Sequence, residues 1–521
     1  MSLNRLWDEN TTYNQFLKEF RAKNKKPLII EGLQGSALSF FVSSLILKEK
    51  LEILLYLTSN ITEALHLYQD LVSFTNLPED SHIFIYPPHE ILPYEDISPD
   101  FQITKQRIKV LSILAHLQCH QLNKRNFHLP LIIISTYRAI LPKIMPLQQF
   151  YQQHLKLQLQ GQLKIEYLLN YLLEQGYQYS NLIEMEGQFS QRGGIVDLFP
   201  LTEEIPLRIE FDGDRIASLR YFDPESQRSI QRVEEILLLP KRELSLKPEL
   251  KDEGTNTFFD YLPEYSDIFI SQFSDFENNV QDFERESENS FLDKKEVHRD
   301  ILPPSYYYLN WKQVNKLIYQ KQRLVKITSW LEQADSPSKE ITGVECQSFS
   351  IESKLAENYF GNLELFFKDI KKSERQKQNI LILTRNKGRA LRMAEIFEDR
   401  GITDYQMMAL PETELYPGKI CLSYGLVNYG FFIPSLNLMV ITEGEIFGKQ
   451  RDRGYRLKRF QGKPFYQLDE LRTGDFVVHI NHGIGQFAGI KTRNTEGIRK
   501  DYILIQYASD DELYVPVEQL S

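Results

Sequence analysis

Glycine and hydroxyl residues occur where phosphate chemistry is possible, in the stretch Gly32-Leu-Gln-Gly-Ser-Ala-Leu after a short apolar run. In a phosphate-binding loop, glycines at this point let backbone N–H groups surround the phosphates. Gly32, Gly35 and Ser36 fit that pattern. A functional loop also needs a lysine for the β- and γ-phosphates and a hydroxyl for Mg²⁺, and the next two residues are alanine and leucine. The sequence therefore predicts a degenerate, non-functional loop that hydrolyses no nucleotide.

No other spacing of reactive residues indicates catalysis or metal binding. His479 and His482 lie three residues apart in a predicted strand and turn, without a third ligand, and we interpret them as structural. The cysteines Cys119, Cys346 and Cys421 are too far apart for a disulfide framework or a metal site. We therefore predict no catalytic residue, no metal and no cofactor, and a reducing, cytoplasmic location.

Composition excludes several classes of protein. The chain has 521 residues, enough for three or four domains, with 42% hydrophobic and 25% charged residues. A net charge of −10 argues against a surface that binds nucleic acid throughout. Residues 449–463 are locally basic, which fits either a contact to nucleic acid or a solvated linker. No apolar run is long enough to cross a membrane, so no membrane association is expected.

Changes in pattern along the chain predict a multidomain α/β and α+β protein. Short buried runs alternating with helical spacing indicate α/β structure at 1–150 and 346–446, and alternating apolar residues with an Asp212-Gly213 turn indicate α+β structure at 151–240. Residues 241–345 contain an acidic excursion, 275–300, for which we expect a flexible segment. After a basic linker, 447–466, short glycine-separated strands at 467–521 predict a small all-β, SH3-like barrel.

Two segments carry a family resemblance. Gln191-Arg-Gly-Gly-Ile-Val-Asp-Leu-Phe-Pro and the hairpin after it resemble the module that transcription-repair coupling factors share with the excision-repair protein UvrB. Leu471-Arg-Thr-Gly-Asp-Phe-Val-Val-His-Ile-Asn-His-Gly-Ile-Gly is similar to the RNA-polymerase-interacting domain of coupling factors and of CarD-like (Tudor-like) regulators. The resemblance implies a UvrB-like α/β domain at 1–150 to which 241–345 returns, a UvrA-binding domain at 151–240 and an intervening domain at 346–446.

The resemblance also implies partners and contact residues. UvrA is expected to bind at Arg192 and Phe199, with Gln178 at a position that is often basic in the family, although Phe199 fits a core position equally well. The β subunit of RNA polymerase is expected to bind the terminal barrel. The residues expected at that contact are Val478, His479, Ile480, His482, Gly483, Ile484, Gly485 and Arg493.

Family members continue into an ATP-driven, helicase-like motor, which this sequence lacks. ATP, Mg²⁺ and most contacts to double-stranded DNA are expected to belong to that motor, and we expect the chain, which stops at Ser521, to be a fragment or a truncated product. Two other classes of protein remain open: a UvrB-type excision-nuclease subunit, which needs an intact phosphate-binding loop, and a stand-alone CarD-like regulator, which needs only the terminal barrel.

Overall fold

The computed structural model describes most of the chain. The described residues are 3–22, 26–49, 51–78, 82–89, 94, 101–119, 130–183, 185–201, 203–224, 226–240, 243, 255–297, 301–328, 346–410, 415–448, 473–474, 476–479, 483–495, 498–506 and 512–516. The chain forms two compact units, 1–455 and 456–521. Each unit is considered by itself.

Helices and strands alternate through the first unit. The helices are α1 (Thr11–Arg21), α2 (Ser36–Glu49), α3 (Ile61–Thr75), α4 (Phe101–Cys119), α5 (Tyr137–Ile140), α6 (Leu147–Gln152), α7 (Ile165–Glu174), α8 (Phe258–Tyr261), α9 (Phe273–Val297), α10 (Pro304–Tyr307), α11 (Trp311–Tyr319), α12 (Leu363–Arg375), α13 (Lys387–Asp399) and α14 (Glu443–Phe447), with 3₁₀ turns at Leu3–Glu9 and Pro434–Leu436.

The strands group into sheets that match the predicted mixture of α/β and α+β structure. They are β1 (Leu28–Glu31), β2 (Ile53–Thr58), β3 (Ile83–Tyr86), β4 (Leu131–Thr136), β5 (Leu155–Gln158), β6 (Gln178–Tyr179), β7 (Gln188–Arg192), β8 (Ile195–Leu198), β9 (Leu207–Asp212), β10 (Arg215–Phe222), β11 (Ser229–Arg232), β12 (Glu235–Leu238), β13 (Asp267–Ser271), β14 (Arg323–Thr328), β15 (Gln347–Ser350), β16 (Lys354–Leu355), β17 (Asn379–Thr384), β18 (Tyr405–Ala409), β19 (Ile420–Tyr424), β20 (Phe431–Ile433), β21 (Leu438–Thr442), β22 (Phe476–His479), β23 (Gly483–Thr495), β24 (Ile498–Gln506) and β25 (Glu512–Pro516).

The first domain is a seven-stranded sheet with the order β15-β1-β14-β13-β2-β4-β3, in which every neighbouring pair is parallel. The central strands consist almost entirely of apolar residues, because both faces of the sheet are packed against other parts of the protein. Leu55 and Leu57 of β2 join one hydrophobic cluster, while Leu54 and Tyr56 join another on the opposite face. Strand β1 pairs with β14 and β15, so the sheet is completed by residues about 300 positions later in the chain.

The module at 155–238 is inserted into that domain. Six strands have the order β11-β10-β9-β8-β7-β6, and β5 pairs separately with β12. The predicted hairpin is confirmed, since Asp212 pairs with Arg215 and Gly213 adopts φ +61° in the turn. Helix α7 packs its apolar stripe on the sheet, with Leu168 and Leu172 buried in the module's core.

Over residues 275–297, helix α9 shows that the prediction of a flexible or weakly ordered segment is wrong, while 298–300 lie outside the described residues. The structure has a 25-residue helix, Phe273–Val297. Its buried residues recur every three or four positions: Phe273, Phe276, Val280, Phe283, Ser287 and Phe291. This spacing forms one continuous stripe that packs on the first domain. The excess of acidic residues lies on the other faces of the helix, so acidity alone was a misleading guide to disorder.

The intervening domain has a six-stranded sheet with the order β16-β20-β21-β17-β19-β18. Strands β21, β17, β19 and β18 are parallel, and β20 and β16 extend the sheet antiparallel. Helices α12 and α13 cover one face through Phe366, Phe367, Met393 and Phe397.

The second unit contains a four-stranded antiparallel sheet with the order β22-β23-β24-β25. Its described interior residues are Val477, Phe487 and Leu504. The predicted all-β character is confirmed, while closure of the sheet into an SH3-like barrel stays a prediction. Among the residues that the structure describes in either unit, no helix has the length and apolarity needed to span a membrane.

Candidate functional site

The predicted phosphate-like turn is present, but protein atoms cover it. Gly32 and Gly35 have φ of +91° and +54°, and α2 begins at Ser36. A Cβ atom on Gly35 would lie 2.7 Å from a side-chain carbon of Leu355 and 3.1 Å from the Cβ of Tyr429. These two residues belong to the intervening domain, which therefore lies directly against the turn.

In the inserted module, the structure places Arg192 on the surface. Its side chain is exposed, and its Nη2 donates to the backbone oxygen of Asn181 at 2.8 Å. The loop that follows Asn181 exposes Leu182 and Met185, and Tyr179 is exposed on the edge strand β6. A cationic group thus lies beside a loop with apolar side chains in water, the combination that recurs at energetically important protein contacts.

The other two residues expected at this surface differ in exposure. Gln178 is exposed on β6 and is free to contact a partner. Phe199 is only 9% exposed, and its N–H donates to the backbone oxygen of Gln188 at 2.9 Å. Of the two alternatives for Phe199, the structure favours the core position, and direct contact with UvrA stays a prediction.

Sequence reasoning missed a buried ion pair under the same strands. Arg208 of β9 makes two hydrogen bonds to Asp197 of β8, from Nε to Oδ1 at 2.7 Å and from Nη2 to Oδ2 at 2.8 Å. The guanidinium also lies over the ring of Phe222, 4.4 Å from its centroid. Because Asp197 and Arg208 face each other in the strand register, a cross-strand search for opposite charges would have found this pair.

The module is fastened to the first domain by charged groups. Glu243 follows the last strand of the module and is buried against Arg107 of α4, with Nε to Oε1 at 2.6 Å. His89 also bonds to this carboxylate. Although burial opposes ionisation, the charge of Arg107 and then His89 lower the pKa of Glu243 to about 2. Lys105 of α4 adds a contact to Glu186 at 2.7 Å.

The residues expected to contact polymerase are split between described and undescribed parts of the chain. Val478 and His479 lie in β22, and Gly483, Ile484, Gly485 and Arg493 lie in β23. His479 pairs with Gly483 and Val478 with Ile484, so these residues meet at one end of the β22–β23 hairpin. Ile480 and His482 lie outside the described residues.

One exposed aromatic residue in this sheet was not singled out from the sequence. Phe476 is 79% exposed, whereas its neighbour Val477 is buried. Phe476 faces Gln486 across the strands, and Gln486 faces Gln506, so the three form a row on the exposed side of the sheet. Alternation in Asp-Phe-Val-Val-His was the available signal, because one of two adjacent strand residues must point outward.

The described residues contain no group of three or more His, Cys, Asp or Glu side chains arranged to hold a metal ion. The arrangement is instead that of two separate surfaces, one cationic and apolar, the other aromatic and amide-rich. Residues 155–244 match the UvrB interaction domain family, and residues 471–521 match the CarD-like/TRCF RID domain family. Two parts of the chain thus match two families of interaction domains.

Comparison with curated proteins is more specific. The chain is similar across most of its length to transcription-repair-coupling factors, and it corresponds to their N-terminal half. It is 27% identical to the factor of Bacillus subtilis over 95% of the chain and 44% of that protein. It is 28% identical to that of Haemophilus influenzae over 84% of the chain and 40% of the relative. The chain thus spans less than half the length of the curated relatives it matches.

Proposed function

We propose that this chain is the docking part of a transcription-coupled nucleotide-excision repair factor, which binds RNA polymerase with one domain and UvrA with another. The observation that carries the proposal is the presence of both matched domains, 155–244 and 471–521, in one chain. A UvrB-type subunit would not need the second domain, and a stand-alone CarD-like regulator would not need the first.

For UvrA, the proposed contact surface consists of Arg192 with Tyr179, Leu182 and Met185. The exposed guanidinium supplies directional hydrogen bonds, and the apolar side chains supply area that is removed from water on binding. Gln178 lies on the same edge strand and extends this surface. The surface is carried by a module whose base is fixed by the buried pair of Arg107 and Glu243, which favours a preformed binding site.

For polymerase, the proposed contact is the β subunit, and Phe476 is its proposed anchor. An aromatic side chain that is 79% exposed has most of its surface available for burial by a partner. In the short antiparallel sheet, which we propose closes into a small barrel, Phe476 and His479 lie at opposite ends of β22, and Gly483 and Arg493 lie on the paired strand β23.

A bridging experiment tests the proposal. RNA polymerase is immobilised, UvrA is added, and retention of UvrA is measured with and without this chain. Retention of UvrA that depends on the chain is expected. Phe476→Ala should weaken binding of the chain to polymerase at least fivefold, as expected for an aromatic anchor. Less of the chain, and therefore less UvrA, should then be retained on the immobilised polymerase. Thr473→Ala, an exposed residue outside this row, is the control and should bind like the parent. UvrA retention that does not require the chain would contradict the proposal.

We also propose that this chain itself hydrolyses no ATP, works in the cytoplasm and leaves translocation on double-stranded DNA, with its ATP and Mg²⁺, to the remainder of the family's longer proteins. Two observations support the first point: alanine and leucine follow Ser36, and Leu355 and Tyr429 lie against Gly35.

A further inference from the structure

The turn at Gly32–Ser36 makes hydrogen bonds to the intervening domain that resemble the bonds between a phosphate-binding loop and its phosphate. Ser353 is buried, and its Oγ accepts from the backbone N–H of Gln34 at 2.8 Å. The same hydroxyl donates to the backbone oxygen of Gly32 at 3.0 Å. A serine hydroxyl thus takes the acceptor role that a phosphate oxygen has in a functional loop.

A second segment of the intervening domain reaches a buried carboxylate on α3. Asp70 is 2% exposed. Its Oδ1 accepts from both the backbone N–H and the Nδ2 of Asn428, each at 2.9 Å, and its Oδ2 accepts from the hydroxyl of Ser39 at 2.8 Å. The neighbouring N–H, that of Tyr429, donates to the Oγ of Ser36 at 3.0 Å. Replacing the Asn428 side chain would remove the Nδ2 donor to this buried carboxylate, whereas the backbone N–H of residue 428 would remain.

Apolar packing accompanies these bonds. One hydrophobic cluster contains Leu33, Ala37 and Phe40 from the turn and α2 together with residues of β17, β20 and β21. The ring of Phe40 stacks on that of Phe431 with centroids 6.0 Å apart. The two domains therefore share a core, whereas interfaces between mobile domains are smaller and more polar.

We propose that the degenerate loop is an internal docking site whose ligand is the intervening domain, through Ser353 and the segment 426–429. The first domain and the intervening domain then move as one rigid unit. The joint between them consists of the loop and Asp70 on one side and of Ser353 and residues 426–429 on the other. The phosphate-like geometry of the glycine turn is retained because the Ser353 hydroxyl and the Tyr429 backbone N–H of the same chain bond to it. This inference does not depend on UvrA or polymerase.

Hydrogen exchange on the full chain tests the joint. Asn428→Asp removes the Nδ2 donor and places a second carboxylate beside the buried Asp70. Exchange at the N–H groups of Gln34 and Tyr429 should accelerate roughly tenfold to a hundredfold, because two buried carboxylates then face each other. Asp70→Asn combined with Asn428→Asp restores a donor–acceptor pair between the two residues, although not the bond from Asn428 Nδ2 to the backbone oxygen of His66. Exchange should therefore be slower than in Asn428→Asp by at least about threefold. Failure of this rescue would overturn the proposal.

A matched control and a second measurement exclude a general loss of stability. Asn386→Ala removes the N-cap of α13, where the Asn386 side chain accepts from the N–H of Arg389, and the Asn386 side chain makes none of the hydrogen bonds described for the joint. This variant should leave exchange at Gln34 unchanged. In the parent, β4 and β17 should lose protection at the same denaturant concentration, and loss at β17 well before β4 would show two independent bodies and contradict the inference.

Discussion

Arg107 and Glu243 form an ion pair whose side chains are 0% and 2% exposed, and they join residues 136 positions apart in the chain. The guanidinium also donates to the backbone oxygens of Pro87 and Ala139, at 2.7 and 3.1 Å, and to the hydroxyl of Tyr86 at 2.6 Å. Each of the three guanidinium nitrogens of Arg107 therefore donates at least one hydrogen bond. The pair fixes the point where the inserted module returns to the first domain.

Removing one partner of this pair should be costly. Glu243→Gln leaves Arg107 charged and buried without its counter-ion, for which a loss of about 3–5 kcal/mol is expected. Glu235→Gln is the control, because Glu235 pairs with Lys156 on the surface and both are more than half exposed. Denaturant unfolding of the full chain measures both variants. Equal stabilities for the two would contradict the importance of burial.

Acid should weaken the same pair within a defined pH range. The pKa of Glu243 is lowered to about 2 in the folded chain, from an ordinary value near 4.5. The stabilisation is therefore present above pH about 4.5 and is lost as the pH falls toward 2, since the unfolded chain takes up the proton first. The stability difference between parent and Glu243→Gln should shrink over this range, and a constant difference would refute the assignment.

His154 should produce a separate effect at higher pH. Its ring stacks on His116 with centroids 4.8 Å apart, and neither ring nitrogen of His154 has a hydrogen-bond partner among the residues that the structure describes. Burial and then His116 lower the pKa of His154 to about 3. Stability should fall as the pH decreases from about 6.5 toward 3, because the unfolded chain binds a proton that the folded chain rejects. His154→Phe should flatten the pH dependence between 6.5 and 4.5, and an unchanged slope would be inconsistent with this.

Replacement by alanine should reduce affinity for UvrA at Arg192 and reduce the stability of the module at Arg208. Arg192→Ala should lower affinity for UvrA by a factor that decreases at high salt, with little change in melting temperature, because the side chain is exposed. Arg208→Ala leaves Asp197 buried without its partner and should mainly destabilise the module. Arg215→Ala, an exposed arginine at the β9–β10 turn, is the binding control. Titration with UvrA and thermal melting separate the two effects.

ATP should neither bind to nor be hydrolysed by this chain. A steady-state ATPase assay with and without DNA is expected to show no turnover, and Mg²⁺-ATP should not raise the melting temperature. Turnover above background that Gly35→Asp abolishes would show that the turn is a functional site.

Local sequence patterns predicted many of the turns and strands, but not the distant residues that pack against them. The turn at Gly32 and Gly35 was predicted from glycine spacing, whereas Leu355 and Tyr429, which cover it, lie more than 300 residues away and leave no local signal. The same holds for Asp70 and Asn428, since a buried polar pair depends on tertiary packing. Phe476 was accessible to sequence reasoning, because its alternation with Val477 requires one of them to face water.

The pairing of β1 with β14 and β15 has a consequence for synthesis of the protein. Leu28 pairs with Val325 and Gln347, so the first strand leaves the ribosome long before either neighbour exists. At about 5–20 residues per second, roughly 15–60 s separate these events. During that time the apolar strand β1 has two open edges, each able to pair wrongly with another chain. The inserted module, whose six-stranded sheet pairs strands that are close in sequence, is free to fold in the same interval. Nascent chains stalled before residue 323 should therefore depend on chaperones to keep β1 from aggregating, while already carrying a folded inserted module.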